Sequence, residues 1–254
     1  MKELKFAFLF TILFSLVGLL NAQSVDTLDY LHPIVQMKHL QPGMRKYLVY
    51  SEDSVSGKRM GVYIWERNIL PFQKKIKNIT IEQKWFSLDT QFIERTIYSV
   101  VDAHNFLPVL HHSSITAFHR PNYIEYYLFT PDSIYTDTSI SQKKFHLLLQ
   151  QPVYNWELDL ETFSILPLSV GKKFAIYFYH PGSASLPQYY TYIVEQLDTI
   201  QYYTRNTIHC FRLKVNYPNS NNYSIWWINK ETYAVIRMKE YFNGKFRYKI
   251  LLSN

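Results

Sequence analysis

The chain has 254 residues, with 17 Phe, 22 Tyr and 5 Trp against 7 Gly, 11 Pro and a single Cys, and its formal net charge is +7. An apolar content of 47% excludes a disordered or collagen-like chain, and one cysteine excludes an internal disulfide framework. The charge is spread without any block of five like residues, so it reads as a solvated basic surface, and no nucleic-acid partner is expected.

Lys2 and Lys5 precede a continuous apolar run from Phe6 to Leu20, followed by Asn21-Ala22-Gln23. A basic start, an apolar stretch of about 15 residues and a small residue at its end have the form of a secretory signal peptide. Residues 1–22 are therefore expected to be removed. The run is short for a membrane span of roughly 20 residues, and no later segment is apolar enough to cross as a helix. The lone Cys210 lies far from the signal, so no lipid anchor is expected. Together these features predict an exported, periplasmic, unanchored chain.

Residues 23–45 carry Pro33, Pro42 and Gly43 and read as an irregular lead-in to one domain, residues 46–254. Within it the dominant hydrophobic period is two, the mark of half-buried strands. Strands are predicted over residues 47–51, 61–67, 76–85, 91–101 and 123–129, with Pro131-Asp132 turning a hairpin after the last. Ser141–Gln150 has Phe145, Leu148 and Leu149 at helical spacing, and Asp159 is placed to cap a second short helix that stops before Pro167. Further strands follow over residues 174–179, 189–197, 207–217 and 223–229. Asn243-Gly244 is the preferred pair for a type I′ turn. It sets Phe242 against Lys245, Tyr241 against Phe246, Glu240 against Arg247 and Lys239 against Tyr248. The face with Tyr241, Phe246, Tyr248 and Ile250 is expected to look inward, and the Glu240/Arg247 pair outward. The fold class is thus mainly β: a single curved antiparallel sheet, a half-barrel of about ten strands, with one to three short helices on its concave side.

The segment Trp226-Trp227-Ile228-Asn229-Lys230-Glu231-Thr232, the strand Val235–Met238 and the Asn243-Gly244-Lys245 turn resemble the ending of exported bacterial domains of unknown function. These are similar to the periplasmic lipoprotein-carrier (LolA/LppX-like) half-barrels. Leu166-Pro167-Leu168 with Gly171, and the turn from Asp102 to Pro108, resemble elements of the same group. The resemblance implies an apolar concavity that receives acyl chains, bound without catalysis. The residues it points to as ligand-lining are Phe211, Leu213, Trp226, Ile228, Tyr241, Phe246, Tyr248 and Ile250. Of the adjacent Trp226 and Trp227, one must face inward and one outward.

Motifs for chemistry are sparse. His104, His111, His112 and His119 lack the spacing of a metal site, and adjacent strand residues point to opposite faces, so these read as surface or strand-end histidines. Gly182-Ser183-Ala184-Ser185 lacks the G-x-S-x-G elbow. Cys210, mid-strand, reads as a buried structural thiol. Glu157, Asp159 and Glu161 cluster beside Trp156, where they read as acids favouring a helix N-terminus. No catalytic residue, metal or cofactor is expected. The predicted partners are a lipid or other amphiphile and, as alternatives, an envelope protein or a membrane surface met peripherally. A hydrolase using the His104–His119 region is the remaining alternative.

Overall fold

The computed structural model describes residues 25–28, 33–71, 76–88, 92–116, 122–141, 143–202, 206–218 and 220–253. The expected signal peptide, residues 1–22, lies outside them. The first half comprises β1 (Val25–Thr27), a 3₁₀ turn (Met37–His39), β2 (Gly43–Asp53), β3 (Arg59–Ile69), β4 (Asn78–Ser87), β5 (Phe92–Asp102), β6 (Pro108–Ile115), β7 (Tyr123–Phe129), β8 (Ser133–Thr136) and β9 (His146–Leu148). After β10 (Tyr154–Asn155) come a second 3₁₀ turn (Trp156–Leu158) and the helix α1 (Asp159–Ser164). The chain then runs through β11 (Lys173–Tyr179), β12 (Gln188–Tyr202), β13 (Asn206–Asn216), β14 (Tyr223–Asn229), β15 (Val235–Phe242) and β16 (Lys245–Ser253).

All sixteen described strands form one sheet, ordered β1-β11-β12-β13-β14-β15-β16-β2-β3-β4-β5-β6-β7-β8-β9, with β10 also paired to β11. The expectation of about ten strands falls short for a physical reason. Of the strands not anticipated, β1, β9 and β10 have only two or three residues, too few to display an alternation, while the eight-residue β6 turns His111 and Ser113 inward and so shows no apolar period. Pairing is antiparallel along the path, apart from the parallel contacts of β1 and β10 with β11. The C-terminal β16 pairs with β2, joining the two halves of the chain.

Ile79 and Ile81 of β4 and Phe174 and Ile176 of β11 belong to one buried cluster, although eight strand pairings separate β4 from β11 in the sheet order. At about 4.8 Å per pairing a flat sheet would hold them nearly 40 Å apart, so the sheet curves around its core. The concave face holds α1, every residue of which is buried.

Two sequence expectations are corrected. Ser141–Gln150 is not a helix: Phe145, Leu147 and Leu149 pack on a small second core at a spacing of two, while Leu148 is 76% exposed. Thr136 decides the matter, because its hydroxyl accepts the Phe145 N–H at 2.8 Å and its N–H donates to the Phe145 carbonyl at 3.0 Å, drawing the segment against β8. The lead-in is also more ordered than expected, since β1 pairs with β11, Gln36 N–H donates to the Ile165 carbonyl at 2.7 Å, and His39 stacks on Tyr233 at 3.6 Å.

The predicted C-terminal hairpin has the expected register, with Phe242, Tyr241, Glu240 and Lys239 opposite Lys245, Phe246, Arg247 and Tyr248. Asn243 at φ 48° and Gly244 at φ 77° supply the two positive dihedrals that a type I′ turn requires. The expected Pro131-Asp132 hairpin sets Phe129 opposite Ile134.

Candidate functional site

The face assignment of the last hairpin is reversed relative to expectation. Directly opposed residues share a face, so Met238, Glu240, Arg247, Lys249 and Leu251 point one way, and Tyr241, Phe246, Tyr248 and Ile250 the other. Met238, Lys249 and Leu251 are buried on the concave side. The expected ligand-lining residues are therefore divided. Phe211, Leu213, Trp226 and Ile228 lie on the concave face but are packed, with Trp226 4.7 Å from Phe163 of α1 and 5.7 Å from Tyr192. Tyr241, Phe246, Tyr248 and Ile250 lie on the convex face. The inward tryptophan is Trp226, while Trp227 turns outward and donates its Nε1–H to Asp198 at 2.7 Å.

The inward positions of the hairpin carry charge because they meet the segment Trp156–Ser164. Asn155 starts that segment by accepting the Glu157 N–H on Oδ1 at 2.9 Å. Its three acids do not act at a solvated helix start; all are buried and reach cations rooted in the sheet. Glu161 receives Arg67 in a two-pronged pair, with Nε to Oε1 at 2.8 Å and Nη2 to Oε2. Arg67 also donates to Gln83 Oε1 at 2.8 Å and to the Glu157 carbonyl at 2.9 Å. Asp159 receives Lys249 Nζ at 2.8 Å, and Glu157 receives Arg95 Nη2 at 2.8 Å. Between the last two cations lies a column in which Lys249 sits 5.1 Å over Trp65, Trp65 stacks on Trp85 at 4.1 Å, and Arg95 covers Trp85 at 4.8 Å. Cross-strand pairing sets Trp65, Trp85 and Arg95 in one row.

Glu157 is the hub. Burial opposes its ionisation, but the surrounding His111, Arg95 and His180 outweigh that and hold its carboxyl below the ordinary range. Burial pushes His111 down to about 4, so its ring is neutral at pH 7. Ser99 Oγ at 3.0 Å and Asn155 Nδ2 at 3.1 Å both approach His111 Nδ1, so the ring proton sits on Nε2, which faces Glu157 Oε2 at 3.6 Å. His180 Nε2 approaches the other oxygen at 3.4 Å, and its side chain, 55% exposed, connects the hub to solvent. Burial outweighs the Asp159 charge at Lys249 and lowers its pKa.

Beside the hub the concave face opens. A pocket of about 120 Å³ lies among Trp65, Trp85, Trp156, Glu157, His180 and Arg247. Trp156 and Arg247 also border a larger groove of about 620 Å³. Its aromatic wall is Trp156, Tyr190, Tyr217 and Phe242, and its polar positions include Gln188, Asn222, Glu240 and Arg247. Trp156 meets Tyr190 edge-on at 4.3 Å and stacks on Tyr217 at 6.3 Å, while Tyr217 meets Phe242 edge-on at 6.1 Å. Arg247 pairs with Glu240 at 2.9 Å. Phe242, 47% exposed, stands at the groove's open side.

The remaining candidates fall apart spatially. His111 is fully buried, correcting the reading of these histidines as surface or strand-end residues, and His112 lies on the opposite face. His104 is exposed in the turn after β5, and His119 lies outside the described residues. Among the described residues no group of three His, Cys, Asp or Glu side chains is placed to hold a metal ion. Cys210 is a buried free thiol, pushed up to about 12 by burial. The partners of the three acids were missed. Their signal was phase, since Arg67 between Trp65 and Ile69, and Lys249 before Leu251, occupy inward positions on otherwise apolar strands.

A strongly curved open sheet wrapped around a short helical segment is the architecture of a β-barrel-like domain. Within that class the chain belongs to the DUF3108 family, described as a protein of unknown function, which residues 46–251 match. Its fold is similar to the crystal structure of a β-barrel-like protein of domain of unknown function DUF1849 from Brucella abortus. That likeness has a TM-score of 0.54 at 9% identity, over 84% of this chain and 97% of that one. Lower likenesses join it to a protein of YmcC-like fold from Bacteroides fragilis (TM-score 0.32, 10% identity, 83% of this chain and 94% of that one) and to a DUF1329 family protein from Desulfovibrio piger (TM-score 0.29, 10% identity, 86% and 87%). No curated protein matches the chain. No described helix is long and apolar enough to cross a membrane.

Proposed function

We propose that this chain is an exported, periplasmic binding module without catalytic activity, which holds a lipid or other amphiphile in the open groove beside Trp156. The observation that carries the reading is the aromatic wall of Trp156, Tyr190, Tyr217 and Phe242 facing Arg247, Asn222 and Gln188 across one concavity. Such a wall takes a hydrocarbon chain or flat apolar body, and the polar positions orient a head group. The resemblance to lipoprotein-carrier half-barrels supports the same class of ligand. Because α1 and Trp226 fill the centre of the curve, the site assigned here is the groove and not an enclosed cavity.

The test is extraction of the purified protein with organic solvent followed by mass spectrometry, together with titration by a fluorescent fatty acid. A bound amphiphile and saturable uptake are expected, and Trp156→Ala should weaken uptake about tenfold with the far-ultraviolet circular dichroism unchanged. Absence of any co-purifying amphiphile together with no uptake overturns the reading.

A further inference from the structure

We propose that the convex face of β14, β15, β16 and β2 docks on an anionic phospholipid surface. The inference is independent of the groove, which lies on the other side of the sheet. It begins with an unbroken run of rings across the four strands. Tyr223 contacts Tyr241 at 5.9 Å, Tyr241 contacts Phe246 at 5.3 Å, Phe246 contacts Tyr248 at 6.3 Å, and Tyr248 stacks on Tyr50 at 4.9 Å. All five rings are partly exposed. Alongside runs an aliphatic row, with Ile250 opposite Leu48 and Leu48 opposite Ile64. A soluble sheet face is ordinarily polar at these positions, whereas aromatic rings with aliphatic neighbours suit the boundary between lipid head groups and acyl chains.

The charges complete the argument. Three cations lie over these rings: Lys239 Nζ is 4.4 Å from the Phe246 centroid, Arg59 is 4.8 Å from Tyr50, and Lys214 Nζ is 5.9 Å from Tyr223. Arg237, opposite Ile250, adds a fourth. Among the described residues neither Arg237 nor Lys239 has an ion-pair partner. The carboxylate in the ring rows, Glu52, is engaged by Arg59 at 3.4 Å. Lys214 is likewise paired, with Glu195 at 3.5 Å, so the charge left uncompensated over the aromatic floor is that of Arg237 and Lys239, the complement of an anionic head-group layer. A protein partner would need an acidic surface shaped to these rings, whereas an anionic head-group layer meets them with charge alone.

Co-sedimentation of the purified protein with vesicles tests the proposal. Vesicles containing phosphatidylglycerol should carry the protein down, and vesicles of phosphatidylcholine alone should not. Salt at about 0.5 M should release the bound protein, since it shortens the screening length to a few ångströms. The double change Arg237→Glu and Lys239→Glu should lower binding at least about tenfold, while an unchanged far-ultraviolet circular dichroism spectrum and urea transition report that the variant is folded. Wild-type protein that stays in the supernatant with both vesicle types overturns the proposal and leaves the face to a protein partner. Binding that ignores lipid charge, salt or the double change overturns it as well.

Discussion

Arg67 shows what a single inward charge does in this fold. It is 2% exposed, and four of its five N–H donors are answered, by both Glu161 oxygens, Gln83 and the Glu157 carbonyl. Removing it strands the Glu161 carboxylate in the core, where an unpaired charge costs about 3–5 kcal/mol. Arg67→Met should lower the unfolding free energy from urea titration by that amount, and the double change with Glu161→Leu should recover most of it, because two apolar groups leave no buried charge. Single and double variants that lose the same stability would contradict the pairing. His111 supplies a second residue-scale prediction. Its folded pKa is depressed to about 4 from an ordinary 6.5, so the native state prefers the neutral ring. The corresponding stability is complete above pH 6.5 and is lost as pH falls toward 4, amounting to roughly 3 kcal/mol. Glu157, also depressed, adds a loss below its ordinary 4.5. Unfolding free energies measured between pH 7 and 4.5 should fall steeply, and His111→Gln should flatten that slope above pH 4.5, where the stability from Glu157 is still intact and adds little to the slope.

At the scale of elements, the C-terminal hairpin is the part whose geometry rests most on local chemistry. Gly244 at φ 77° has no heavy atom within 4 Å of a built Cβ, so Gly244→Ala tests backbone strain without a clash. The left-handed conformation costs an alanine about 1–2 kcal/mol, and denaturant unfolding should show that loss. This turn and its register were legible because two residues specify the twist and all later pairs follow. Which face looks inward was not legible. The inference that apolar residues go in and charged ones out fails here because Lys249 and Arg247 find Asp159 and Glu240, 90 and 7 residues away in sequence. The region 141–150 failed differently, since its apolar spacing fits both periods and only the pairing with Thr136 chooses between them.

The whole molecule is tied together by contacts that no local window contains. β16 pairs with β2, and β4 and β11 share a core, so neither half buries its inner face without the other. Urea unfolding followed by tryptophan fluorescence and by far-ultraviolet circular dichroism should accordingly give superimposable transitions. A resolved intermediate with only one half melted would show that the halves fold separately.

Sequence by itself determined the strand class of the chain, most strand positions, the last hairpin's register and the opposite orientations of Trp226 and Trp227, because each follows from a period of two or a turn pair read over a few residues. Only the tertiary structure decided that Glu157, Asp159 and Glu161 clamp the helical segment to the sheet, that the groove forms beside Trp156, and that the Tyr241–Tyr248 rings face outward. Those outcomes depend on which residues the curvature brings together, and curvature is a property of sixteen strands acting at once.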